Sequence, residues 1–180
     1  MQEQVKQWLT ENEELMQLLT IVEKLNLPDC WISAGAIRNY LWNRLEGRNE
    51  LEARDIDVVY FDQNSPYELA LEIEEALKKD YPMYQWEVRN QAHMHQHNFE
   101  DEKPYTSTFD AISKYPEICT AIAARKQGGA IELLAPFGLT DIFNFTVQAT
   151  PHFKQNAVYF QLYLTRQKQK NWSAIWPQLK

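Results

Sequence analysis

The run Asp55-Ile-Asp-Val-Val-Tyr-Phe-Asp62 constrains the fold more than any other stretch of the chain. Its β-branched and aromatic residues favour an extended, pleated backbone. Successive strand residues point to opposite faces, so Asp55 and Asp57 share one face, while Ile56 and Val58 pack behind them. Two neighbouring carboxylates repel each other, and holding them beside a core adds a desolvation cost. A divalent cation between them relieves both, and Mg²⁺ or Mn²⁺ suits such oxygen ligands. By itself the pattern also fits an edge strand with a solvated acidic face.

Upstream, Trp31-Ile-Ser-Ala-Gly-Ala-Ile-Arg-Asn-Tyr-Leu-Trp42 begins as a short apolar strand. It passes Ser33 and Gly35, then places Ile37, Leu41, Trp42 and Leu45 at helical spacing. This reads as strand, tight turn, helix. A glycine at the junction lets a ligand approach the backbone, and the helix N-terminus presents N–H groups and a positive dipole end to an anion such as a triphosphate. Arg38, one turn on, adds a charge-assisted contact. Ordinary turn chemistry is the competing account of the glycine.

Taken together, these two segments resemble the nucleotidyltransferase superfamily that includes DNA polymerase β. Its pattern is a helix-capping Gly-[Gly/Ser], an Asp-x-[Asp/Glu] strand and a third acid on a later strand. More closely, the chain is similar to a bacterial family of nucleotidyltransferase-like proteins. That similarity is carried by Ala34-Gly-Ala-Ile-Arg-Asn39, Asp55-Ile-Asp-Val-Val-Tyr-Phe-Asp62, Trp86-Glu-Val-Arg-Asn-Gln-Ala92, Ala135-Pro-Phe-Gly-Leu-Thr-Asp141 and the Trp-rich end through Trp176-Pro177. It runs from about Trp31 to the C-terminus. The resemblance implies NTP as substrate, Asp55 and Asp57 as metal ligands, and a nucleotide held by Ser33, Gly35, Ala36, Arg38 and Asn39. The chain departs from the superfamily pattern at Ala36, where Gly or Ser is usual. Backbone contacts then have to serve there, with Ser33 as a substitute hydroxyl.

The third acid is sought in Tyr84-Gln-Trp-Glu-Val-Arg-Asn90, where Glu87 sits in a run of strand composition. A helix over Ser65–Lys79 connects it to the Asp-x-Asp strand, with Leu69, Ile73 and Leu77 on one face. Glu132 in Ala130-Ile-Glu-Leu-Leu134 has the same setting and is the rival ligand. Three acids are wanted because two cations about 4 Å apart can activate an attacking hydroxyl and hold a leaving pyrophosphate. The cluster His93-Met-His-Gln-His97 invites a zinc assignment, but Cys30 and Cys119 are too far apart in sequence to supply a matching ligand set. Its place after the Glu87 strand instead puts Asn90, Gln91 and His95 at a substrate rim, with a solvated polar loop as the competing account.

A chain of 180 residues can bury one good core. The expected architecture is α/β (α+β), a small mixed sheet with helices mainly on one face, formed by residues 1–180 as one nucleotidyltransferase-like domain. Residues 1–27 form an N-terminal helical segment, 28–150 the catalytic core and 151–180 an aromatic-rich extension that docks on the body or seeds an oligomer. A further helix is predicted over Ser107–Arg125, and a strand over Ala130–Ala135 after Gly128-Gly129. No run is long enough to span a membrane and no basic, apolar leader is present, so a cytoplasmic protein is expected, as the two cysteines also suggest. The net charge of -7 disfavours long duplex DNA. The expected activity is metal-dependent transfer of a nucleoside monophosphate to a small molecule, a protein or an RNA end. A nucleotide sensor without turnover and a phosphoester hydrolase are the alternatives.

Overall fold

The computed structural model describes residues 1–51, 55–95 and 103–180. The amphipathic N-terminus forms two helices, α1 (Gln2–Glu11) and α2 (Glu13–Lys24). Asn12 divides them: its backbone turns extended, and its side chain caps α2 by accepting the Leu15 N–H at 2.8 Å. Val5 and Leu9, then Leu15, Leu18, Leu19 and Val22, are the buried stripe.

Five strands, β1 (Trp31–Ser33), β2 (Asp55–Tyr60), β3 (Gln85–Asn90), β4 (Ala123–Gln127) and β5 (Ala130–Leu134), form one sheet in the order β3-β2-β1-β4-β5. Only β2 and β3 run parallel, because a crossover helix, α4 (Tyr67–Asp80), separates them in sequence. The sheet is mixed, as the sequence pattern implied. Helix α3 (Gly35–Leu45) follows β1 directly.

The two faces of the sheet are covered unequally. Ile32, Ile56, Val58, Trp86, Val88 and Ala124 belong to the main core with residues of α1 to α4. Trp31, Val59, Ala123 and Leu134 face a smaller cluster that includes Ile112 of the short helix α5 (Thr108–Ser113). That thinner cover leaves room for a cleft.

The helix expected over Ser107–Arg125 is corrected: α5 stops at Ser113, a 3₁₀ turn spans Ile118–Thr120, and the remainder is β4. Pro116 cannot donate to a continuing helix. Strand β4 lies between β1 and β5, and Ala123 and Ala124 are both fully buried. A strand covered on both faces shows no alternation of polar and apolar residues, so its apolar run reads like a helix face.

After α6 (Thr140–Phe143), α7 (Pro151–Lys154) and α8 (Ala157–Lys170), the C-terminus docks on the body. The Trp176 ring lies 4.9 Å from that of Trp42 on α3, and its N–H donates to Asn43 Oδ1 at 2.8 Å. Trp172 meets Trp42 edge-on at 5.8 Å. Among the described residues no helix is long and apolar enough to cross a membrane.

Candidate active site

Strand register assembles the acids. Asp57 is the direct partner of Glu87 on β3 and of Ser33 on β1, so Asp55, Asp57 and Glu87 rise from the thinly covered face. Asp55 is exposed, Asp57 is half-buried and the Glu87 side chain is 60% exposed. Burial, and then the neighbouring Glu87 and Asp55 carboxylates, push the Asp57 pKa up to about 6, against the pull of Arg38 and Lys170. Among the described residues no three His, Cys, Asp or Glu side chains converge as a ready metal cage. The under-compensated repulsion around Asp57 nevertheless matches what a divalent cation would relieve. Glu132 is not part of this group. It stands on β5, with β1 and β4 between it and β2, and pairs with Arg125 at 2.6 Å.

The turn before α3 faces the same cleft. Ala34, not Ala36, is its unusual residue: Ala34 has φ 57° and ψ -121°, a conformation that L side chains rarely adopt, and it offers no side-chain cap. Gly35, the first residue of α3, lines the smaller cavity and is half-buried, so its amide is open to a ligand or solvent. A Cβ added at Gly35 would meet only Arg38 Nη2, at 4.0 Å, so the space over Gly35 is not taken by protein. Ala36 is fully buried, and a hydroxyl there would point into the core. Ser33, expected to substitute for that hydroxyl, is also buried, with its Oγ 3.2 Å from the Tyr115 hydroxyl.

Arg38 is a fixed part of the wall. It is buried, donates through Nη1 to Thr120 Oγ1 at 2.6 Å and through Nη2 to Asn39 Oδ1 at 2.7 Å, and lies 4.1 Å from the Trp172 ring centre. Burial pulls its pKa below the usual value, while the nearby Glu117 and Asp57 carboxylates act in the opposite direction.

Two open cavities meet at Asp57. One, of about 270 Å³, runs over Gly35, Arg38, Asn39 and Asp55 to Lys170 and Trp172. The other, of about 320 Å³, is walled by Glu87, Arg89, Gln91, Tyr105, Lys114 and Tyr115. Ala34, Asp57, Thr120 and Arg166 line both. Sequence reasoning missed Thr120, Arg166 and Lys170. The basic spacing of Arg166 and Lys170 one helical turn apart was visible, but nothing local shows that this face turns towards Asp57.

The rim residues divide. Gln91 lines the larger cavity. Asn90 is corrected: it is buried, donating to Asp62 O at 2.7 Å and Ser65 Oγ at 3.0 Å and accepting from the Asp62 N–H at 3.1 Å, so it braces the loop after β2. His93 is exposed with Nε2 3.0 Å from Ser65 O, whereas His95 sits edge-on to Tyr105 at 6.3 Å. The two histidines thus diverge, and His97 lies outside the described residues.

An acid-bearing parallel strand pair facing a glycine-led helix defines a nucleotidyltransferase-like fold. The sequence profile described as Nucleotidyltransferase matches residues 20–180, and the chain belongs to that family, within the DNA polymerase β-like superfamily. Among solved structures, a domain whose NMR structure is described as a CCA-adding enzyme head domain is 43% identical, with a TM-score of 0.89, over 98% of this chain and 93% of that one. A CCA-adding enzyme complexed with ATP matches at 15% identity and TM-score 0.57, over 93% of this chain and 42% of that one. The Thermotoga maritima CCA-adding enzyme complexed with tRNA matches at 17% and 0.52, over 90% and 38% respectively. These two distant likenesses concern the fold alone. No curated protein matches the chain.

Proposed function

We propose that this nucleotidyltransferase moves a nucleoside monophosphate from an NTP to an acceptor hydroxyl with the help of Mg²⁺ or Mn²⁺. The observation that carries the reading is the pairing of Asp57 with Glu87 across β2 and β3, facing the open Gly35 turn. Asp55 and Asp57 would hold the cation, with Glu87 completing its oxygen shell. When bound, the cation supplies charge neutralisation for the phosphates and for the departing pyrophosphate. The Gly35 amide receives the triphosphate at the N-terminus of α3. Glu87 accepts the acceptor's hydroxyl proton. The freed oxygen bonds to the α-phosphorus, the bond to the bridging oxygen breaks, and pyrophosphate leaves.

The acceptor side is assigned to the larger cavity, which holds Glu87. An RNA end is the acceptor favoured by the 43% identical domain, described as a CCA-adding enzyme head domain, ahead of a small molecule or a protein. The buried free thiols of Cys30 and Cys119 support a reducing cytoplasm as the setting. The exposure of Glu87 is the one observation favouring a nucleotide sensor instead.

The test is to incubate the protein with α-labelled NTPs, Mg²⁺ and a small-RNA fraction. Pyrophosphate released in step with label on RNA supports the whole reading. Label on another acceptor keeps the transfer and moves the acceptor. Inorganic phosphate alone indicates hydrolysis, and binding without any release indicates a sensor.

A further inference from the structure

Among the described residues, Arg166 is the only cation that lines both cavities at Asp57. It comes from α8, a helix whose one buried residue is Tyr163 and which packs on α7. Its Nε donates to Glu117 Oε1 at 2.7 Å, and Gln167 Nε2 donates to the same oxygen at 2.8 Å. Glu117 is fully buried, and its Oε2 has no hydrogen-bond partner among the described residues. Mere anchoring of a helix does not call for such an arrangement, since apolar contacts hold a helix without desolvating a carboxylate. Held to Glu117 through Nε, the guanidinium is oriented where it lines both cavities. A guanidinium fork matches two phosphate oxygens at once.

We propose that Arg166, positioned by Glu117, grips the phosphate chain of the NTP where the two cavities join, so that the C-terminal helix belongs to the binding machinery. This rests on the transferase reading above. Lys170, one turn further along α8, lines the smaller cavity beside it.

Calorimetry with Mg²⁺ and either α,β-methylene-ATP or AMP tests the assignment. Arg166→Ala should weaken the triphosphate analogue roughly ten- to a hundredfold, the scale of losing a charged hydrogen bond, and leave AMP within about threefold. Gln167→Ala removes a contact to the same Glu117 oxygen and should leave both affinities at wild type. Glu117→Gln should weaken the triphosphate analogue in the same direction, and add nothing further to Arg166→Ala. Equal effects of Arg166→Ala and Gln167→Ala, or an equal loss for AMP, would overturn the proposal. Should Arg166→Ala not fold, Arg166→Lys carries the test, because it keeps a cation for Glu117 without the fork. A loss of at least about threefold for the triphosphate analogue alone is then expected, and wild-type affinity overturns the proposal. Asp57→Asn in parallel separates the two levels. Turnover lost there, with wild-type binding by Arg166→Ala, overturns the role of Arg166 alone; a wild-type protein that binds no triphosphate analogue overturns both.

Discussion

With its pKa pushed up to about 6, Asp57 holds a proton at pH values where an ordinary aspartate, at 3.8, has lost it. Between these values the folded chain binds more protons than the unfolded one, so the stability of cation-free protein falls as pH rises from 3.8 to about 6 and levels off above that. Asp57→Asn should flatten this slope in melting curves taken across the window and raise the melting temperature near neutrality, while abolishing Mg²⁺-dependent transfer. Mg²⁺ binding by the wild type should weaken below about pH 6, as protons compete for the carboxylate. Ala34 stores a different cost, in its backbone. Ala34→Gly relieves the strain of φ 57° and should stabilise the fold by about 1 kcal/mol in urea unfolding, with transfer retained.

Strand order, rather than the apolar-acid-apolar pattern that Glu87 and Glu132 share, is what sets Glu87 beside Asp57 and makes it the acid proposed to complete the site. Glu87→Gln should lower turnover by at least about a hundredfold, whereas Glu132→Gln should be mild in activity and cost no more than about 1 kcal/mol through its pair with Arg125. The reverse ranking would place the acid site at β5. The docking of the C-terminus on α3 has its own test: Trp176→Ala empties a site that is 1% exposed and should cost about 3–5 kcal/mol in denaturant unfolding.

Much at this scale was legible beforehand. The alternation in Asp55 to Tyr60, the strand-turn-helix at Trp31 to Leu45 and the shared face of Asp55 and Asp57 all follow from local periodicity. Other features depend on contacts distant in sequence. Strand β4 hid because burial on both faces erases its alternation, and Asn90 looked like a rim residue because its loop-bracing partners, Asp62 and Ser65, lie more than twenty residues earlier. Arg166 was unreadable for the same reason: Glu117, which orients it, is 49 positions away.

For the molecule as a whole, a thin cover on one sheet face opens the cleft, and the C-terminal segment closes one side of it with Arg166, Lys170 and Trp172. The chain spans 42% of the length of the ATP-bound CCA-adding enzyme. The net charge of -7 means that any grip on a polyanion must come from this local cluster rather than from a general field. The most direct measurement is a crystal structure with Mn²⁺ and α,β-methylene-ATP. Metal density about 2 Å from carboxylate oxygens of Asp55, Asp57 and Glu87, with phosphate oxygens on the Gly35 amide, is the expected result. Metal bound away from Asp55 and Asp57, or a triphosphate seated elsewhere than at the start of α3, would contradict it.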